Sequence, residues 1–305
     1  MQSIITILGP TAIGKSKLAV ELAKRFDGII ISADSRQIYR GFDIGSGKVT
    51  NSEMQGVSHY MLDIKELWQD YNVSEFQKEV KSILQKLETT QTIPFLVGGT
   101  GLYIESIIYD YQLPNIPIQN KLREELSQLN KLELQNKLLS LNPQINLNES
   151  DWNNPVRLIR SIEKNTFDIN PVIKNKFPLY KPLLIGLSST LNNIKDRITT
   201  RVEERLAQGA IDEVARILLI LNEKLPLNMA RKKLQQFGLG TIAICDYLDK
   251  KNDYETMKRQ YIQSEYQYAR RQMTWFRRMN NINWFEADDD NLIDKTSFLI
   301  SDFLR

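Results

Sequence analysis

One cysteine, Cys245, and one histidine, His59, are all that the chain holds of either residue. A lone thiol excludes an internal disulfide, and the pair leaves a zinc site of the Cys/His type without ligands. No apolar run approaches the ~20 residues that a membrane-spanning helix needs; runs such as those at residues 4–8 and 29–31 are strand-sized. The first residues lead straight into such a run, without the basic region and long apolar stretch of a signal peptide, so a cytoplasmic location is expected. Charge of neither sign dominates: 40 Lys and Arg against 37 Asp and Glu leave +3, too little by itself to argue for a nucleic-acid partner. Internal repeats and low-complexity tracts are missing too. What remains, 305 residues with 42% hydrophobic and 25% charged, is the composition of a globular protein with a main domain and a smaller one.

The order of patterns is that of alternating strands and helices. Residues 4–8 form a β-rich run, 9–14 a turn-rich loop, and Leu18, Ala19, Leu22, Ala23 and Phe26 then recur at helical spacing. Further apolar runs at 28–32, 93–97 and 183–187 continue the series, the second of them preceded by an amphipathic stretch at 76–87. Strands this apolar need both faces covered, which predicts an α/β fold: a P-loop-type parallel sheet flanked by helices. The texture changes after residue 112. Two prolines fall within 113–117, residues 121–141 read as a charged helix, and 142–155 as an asparagine-rich loop. We assign 118–182 to an inserted helical domain within a core made of 1–117 and 183–305. Residues 194–221 and 254–279 read as long helices of a helical C-terminal region, joined through 225–248 with the turn Phe237-Gly-Leu-Gly240.

Gly9-Pro10-Thr11-Ala12-Ile13-Gly14-Lys15-Ser16 fits the phosphate-loop pattern, with a strand before it and a helix after it. Glycines let the backbone wrap an anion with its N–H groups pointing inward, and the following helix adds the positive end of its dipole. Lys15 offers a charge to the phosphate oxygens, and Ser16 a hydroxyl ligand for Mg²⁺. ATP, GTP and a free diphosphate ester all suit such a loop, so nucleotide or ATP binding is one reading of it.

The run at 29–33 ends in Asp34, at the edge where open α/β sheets place ligands. Three roles stand open for it: a metal-supporting acid, a general base for an acceptor, or a helix N-cap. Ser35, Arg36, Gln37, Tyr39 and Arg40 follow, polar and basic residues suited to gripping a polar acceptor. After the third run, Gly98-Gly-Thr100-Gly101 provides close backbone approach with a hydroxyl beside it, either for a ligand or for a tight strand-to-helix turn.

Taken together, Gly9-Pro-Thr-Ala-Ile-Gly-Lys-Ser16, Ser32-Ala-Asp-Ser-Arg-Gln-Ile-Tyr-Arg-Gly-Phe-Asp-Ile-Gly45, Val97-Gly-Gly-Thr-Gly-Leu-Tyr103 and Ala269-Arg-Arg-Gln-Met-Thr-Trp-Phe-Arg277 resemble the tRNA dimethylallyltransferase, or tRNA isopentenyltransferase, family in order and spacing. The second string is the most specific of the four. The resemblance implies transfer of a dimethylallyl group from dimethylallyl diphosphate to the exocyclic amine of the adenine adjacent to the anticodon in tRNA, with Mg²⁺. It implies that the P-loop holds the donor diphosphate, that Asp34 is the base, and that Lys15 and Thr100 act beside it, Thr100 near the adenine. It further implies tRNA contacts from Asp34, Ser35, Arg36, Gln37, Thr100, Arg123, Val156, Arg157, Arg160, Arg270, Arg271 and Gln272, with the insertion clasping the anticodon stem-loop. Trp275 and Phe276 are offered as either base-stacking surface or core. A monomer is expected.

Departures from the family pattern accompany the match. The turn at Gly240–Ala243 lacks the family's Gly-Tyr-Lys-Glu, Leu191 stands where many members have arginine, and Asn154-Pro-Val156 replaces a usual acid and glutamine. Two alternatives share the core motifs: an isopentenyltransferase acting on free adenine nucleotides, and a P-loop small-molecule kinase. The kinase reading lacks an acid after the third strand, and the helical insertion and basic C-terminal segment favour tRNA over a free nucleotide.

Overall fold

In the computed structural model, which describes residues 1–113, 119–166, 179–226 and 229–305, a parallel sheet carries the chain's apolar runs. Its strands are β1 (Ser3–Leu8), β2 (Gly28–Ala33), β3 (His59–Tyr60), β4 (Ile93–Gly98), β5 (Lys181–Ser188) and β6 (Ile282–Glu286), in the order β3-β2-β4-β1-β5-β6. Every pairing is parallel, with Ile5 opposite Phe95 on one side of β1 and Leu183 on the other. Alternate residues of one strand feed different cores. Ile5 and Ile7 of β1 join one buried cluster with Phe95 and Ile185, while Ile4 and Leu8 join a second with Ile31, Phe76 and Leu184. This two-sided burial explains why the strands read as nearly continuous apolar runs.

The described residues form the helices α1 (Lys15–Arg25), α2 (Asn51–Met54), α3 (Val73–Leu87), α4 (Gly101–Ile108), α5 (Asn120–Ser127), α6 (Lys131–Leu141), α7 (Glu149–Trp152), α8 (Pro155–Asn165), α9 (Leu191–Ala207), α10 (Ala210–Lys224), α11 (Met229–Phe237), α12 (Leu239–Leu248), α13 (Tyr254–Phe276) and α14 (Leu292–Leu304). Of these, α1 packs into the cluster on one face of the sheet and α3 and α4 into that on the other. Local chemistry sets many of their starts. Asn72 opens α3 and Asn130 opens α6 with reciprocal capping boxes to Glu75 and Glu133, and Asn154 caps α8 with Pro155 in its first turn. None among the described residues is long and apolar enough to cross a membrane.

The chain divides into two compact units, Met1–Asp110 with Lys176–Arg305, and Tyr111–Asn175. The smaller unit has its own core of Leu126, Leu134, Leu138, Leu158 and Ile162. The 117/118 boundary read from the sequence, and most of the proline-bearing segment before it, lie outside the described residues.

Several element assignments are corrected. Residues 194–221 are two helices, because Gly209 at φ 99 ends one and starts the next. The charged stretch at 121–141 divides at the Asn130 cap, the asparagine-rich loop contains α7, and the segment at 225–248 contains α11 and α12. Strands β3 and β6, at the two edges of the sheet, were not legible as apolar runs.

Candidate functional site

The P-loop leaves β1 at Gly9 and enters α1 at Lys15, with Gly14 in the left-handed region at φ 99 so that the helix can begin directly. Lys15 is half-buried and its Nζ donates to the Pro10 carbonyl at 2.7 Å. Loss of hydration pulls the Lys15 ammonium down to about 7, against the raising effect of the Asp34 carboxylate and with a further lowering by Arg201. Ser16 beside it is exposed.

Asp34 follows β2 directly. Its Oδ1 accepts the Arg36 N–H at 2.9 Å, an Asx turn that turns the chain at the sheet edge. The Ser35 N–H donates to Thr100 Oγ1 at 3.1 Å, and Tyr268 of α13 lies beside the same Thr100 side chain. Thr100 therefore ties the Asp34 loop to the turn between β4 and α4. Ser32 Oγ donates to Gln37 Oε1 at 3.0 Å, and Gln37 Nε2 to the Gly47 carbonyl at 3.1 Å. Arg36, read from the sequence as an acceptor contact, is held within the fold: it pairs with Glu265 at 3.0 Å and lies 4.4 Å from the Tyr268 ring centroid. Burial disfavours its charge, but Glu265, Tyr268 and Asp34 more than compensate and leave it raised.

Helix α9 adds Arg201 and Arg205, one turn apart. Arg201 reaches Thr11 Oγ1 and the Gly47 carbonyl, each at 3.4 Å, and burial together with Arg205 lowers it to about 10. Arg205 is buried near Glu265 at 3.6 Å, and its Nε has no hydrogen-bond partner. Helix α10 adds Glu213, whose carboxylate accepts three successive N–H groups, from Asp43 at 2.7 Å, Ile44 at 2.9 Å and Gly45 at 2.8 Å.

These groups surround adjoining cavities. A narrow one of about 50 Å³ is lined by Lys15, Ser16, Asp34, Arg36, Gln37, Arg201, Tyr268 and Gln272, among others. A larger one of about 540 Å³ opens beside the P-loop, along residues 12–17 with Arg197 and Arg201, and another of about 510 Å³ is walled by Val20, Ile44, Lys48, Val49 and Arg205. Ser16 and Arg201 line all three. The arrangement puts cations and inward-facing backbone at one end and a carboxylate close by, at the carboxyl edge of a parallel sheet.

The remaining expected residues fall elsewhere. Arg123 and Arg160 clasp the fully buried carboxylate of Glu163 within the smaller unit, Arg123 Nε at 2.6 Å and Arg160 at 3.0 Å. Burial raises Glu163, but these hydrogen bonds outweigh it and hold the carboxyl below its ordinary value. Arg157 pairs with Asp151 at 2.5 Å, and Val156 is exposed. On α13, Arg270 and Arg271 are exposed, whereas Gln272 is buried. Phe276 is fully buried in the core and Trp275 half-buried against Gly101, so Phe276 offers no surface for stacking. The divergent segment lies in α12, where Gly240 abuts Tyr261 and a Cβ would come within 2.3 Å of the ring; Leu191 is exposed at the start of α9. Arg201, Arg205, Glu213, Glu265 and Tyr268 were not singled out by sequence reasoning. They sit in charged helical stretches that read as solvated faces, and no spacing marks them.

A family model described as IPP transferase matches residues 37–279. The tRNA dimethylallyltransferase of Thermoanaerobacter sp. (strain X514) is 37% identical over 298 residues, covering 94% of this chain and 92% of that protein. That of Anoxybacillus flavithermus is 33% identical over 301 residues, covering 96% and 93%. The crystal structure of the full-length tRNA isopentenylpyrophosphate transferase of Bacillus halodurans superposes with a TM-score of 0.73 at 32% identity, over 100% of this chain and 97% of that one. The P-loop, the carboxylate at the sheet edge and these likenesses together show that the chain belongs to the IPP transferase family.

Proposed function

We propose that the protein transfers a dimethylallyl group from dimethylallyl diphosphate to the exocyclic amine of the adenine adjacent to the anticodon of tRNA. The observation that carries this reading is that Lys15 of the P-loop and Asp34 line one narrow cavity in a chain of this family. In the reaction the amine lone pair forms a bond to the allylic C1 as the C1–O bond breaks. The bonding pair leaves with the diphosphate, and the amine proton passes to the Asp34 carboxylate.

An aromatic amine is a weak nucleophile, and the leaving group departs with heavy negative charge. Stabilising that charge is the larger demand. The P-loop N–H groups, Lys15 and Arg201 meet it, and the donor's own charge draws a proton onto Lys15. Among the described residues no group of three or more His, Cys, Asp or Glu side chains gathers to hold a metal. Mg²⁺ bound chiefly by phosphates and water needs only one or two protein ligands, and the exposed Ser16 hydroxyl suits that part; the ion would neutralise charge on the diphosphate.

For the acceptor, Asp34, Ser35, Gln37 and Thr100 line the approach to the base, and Arg270, Arg271 and Arg157 meet phosphates. Arg123 and Arg160 act by shaping α8 through Glu163. A base must leave its stack to reach a cavity this narrow. The protein is read as a monomer, and a tRNA substrate supports a cytoplasmic location. Mass spectrometry of nucleosides from tRNA incubated with protein, Mg²⁺ and dimethylallyl diphosphate tests the proposal. The expected product is adenosine enlarged by one C5H8 unit; folded protein that leaves tRNA unmodified would refute it.

A further inference from the structure

Glu265, Tyr268, Gln272 and Trp275 recur along α13 at three- and four-residue spacing and so share one face. Each meets a different piece of the site: Glu265 meets Arg36, Tyr268 meets Thr100, and Trp275 meets Gly101. Gln272 alone among these four bonds the P-loop. Its Oε1 accepts the Thr11 N–H at 2.9 Å, and its Nε2 donates to the Gly99 carbonyl at 2.9 Å. The side chain is 6% exposed, and a Cβ on Gly99 would fall 2.1 Å from Nε2, so the glycine makes the space that the amide occupies.

We infer that Gln272 is a positioning residue of the diphosphate loop and not a contact to tRNA. Its carboxamide ties the Thr11 N–H to the turn between β4 and α4. That holds the loop in one shape, with the N–H groups toward Lys15 and Ser16 left for the anion. The amide is suited to this because it is a neutral donor and acceptor in one planar group: it satisfies a carbonyl and an N–H without placing negative charge beside a diphosphate. Its neighbours Arg270 and Arg271 are exposed, so α13 offers cations outward and the amide inward.

The inference rests on the proposed use of the P-loop for the donor, and two variants separate the two ideas. Gln272→Met keeps the length and removes both hydrogen bonds; Gly99→Ala displaces the amide while leaving Gln272 in place. The probe is inorganic diphosphate with Mg²⁺, titrated by calorimetry, alongside tRNA binding, donor KM and kcat. Both variants should weaken diphosphate binding about tenfold, the equivalent of one hydrogen bond, and raise donor KM by a similar factor. tRNA affinity and a cooperative thermal transition should be retained. Loss of tRNA affinity with unchanged diphosphate affinity would overturn the inference, as would wild-type diphosphate binding by both variants. A folded wild-type protein that binds no diphosphate would overturn the donor assignment and the inference with it.

Discussion

Replacing Glu213 with glutamine tests how the wall of the cavity of about 510 Å³ beside the P-loop is held. The Glu213 carboxylate is buried and accepts the N–H groups of Asp43, Ile44 and Gly45, shaping the loop that leads to Gly47. The Gly47 carbonyl in turn receives Gln37 and Arg201. In the glutamine variant one amide oxygen can still accept from Asp43 and Ile44, but as a neutral acceptor, at about half the strength of a charged one. The amide nitrogen would face the Gly45 N–H, donor against donor, leaving that N–H without a partner at a cost of about 1–3 kcal/mol. With the two weakened bonds the total is about 3 kcal/mol, which for a unit of this size lowers Tm by about 6–12 °C. Thermal unfolding measures this directly, and steady-state kinetics should show donor KM rising several-fold because the displaced loop carries Asp43, Ile44 and Lys48, which line the cavity. An unchanged Tm together with an unchanged donor KM would show that the three hydrogen bonds do not hold the loop, refuting the reasoning.

Three further outcomes follow from the site and the smaller unit. Asp34→Asn keeps the acceptor for the Arg36 N–H but loses basicity, so single-turnover transfer should fall about a hundredfold or more while tRNA binding persists; a near-normal rate would remove Asp34 as the base. Lys15 is held at about 7 against an ordinary 10.5, so between those values the unfolded chain binds more protons than the folded one and stability rises with pH. Lys15→Met should raise Tm at neutral pH, abolish that alkaline gain and weaken donor binding; matching Tm profiles for wild type and variant from pH 7 to 10.5 would contradict this. Glu163 is held below its ordinary 4.5, so its pairing contributes fully above that value and is lost as pH falls through the lowered one. An acid titration followed by circular dichroism should show helix loss that Glu163→Gln, already destabilised at neutral pH, no longer shows; identical titrations would argue against the clasp.

Much of this protein was legible in one dimension because the determining interactions are local or periodic. Glycines around Lys15 between a strand and a helix can make little but a phosphate loop, and runs such as 4–8 and 183–187 are apolar on both faces because helices cover both. The edge strands escaped notice for the converse reason: β3 has two residues, and β6 is half solvated, with Trp284 partly exposed. The break at Gly209 was hidden because helical periodicity continues on either side of it. Phe276 fits either surface recognition or core in sequence and Arg36 reads as a contact to the acceptor, yet the first lies in the core and the second is tied to Glu265, 229 positions away.

The sequence by itself determined that a phosphate-binding loop and an acid lie at the edge of a parallel sheet, since each is written in a short contiguous string. Only the tertiary structure decided which charges neutralise one another, which polar groups are used up inside, and that Gln272 meets Thr11 across 261 residues. Such pairings depend on the packing of distant helices against the sheet, and the spacing of residues along the chain carries no record of it.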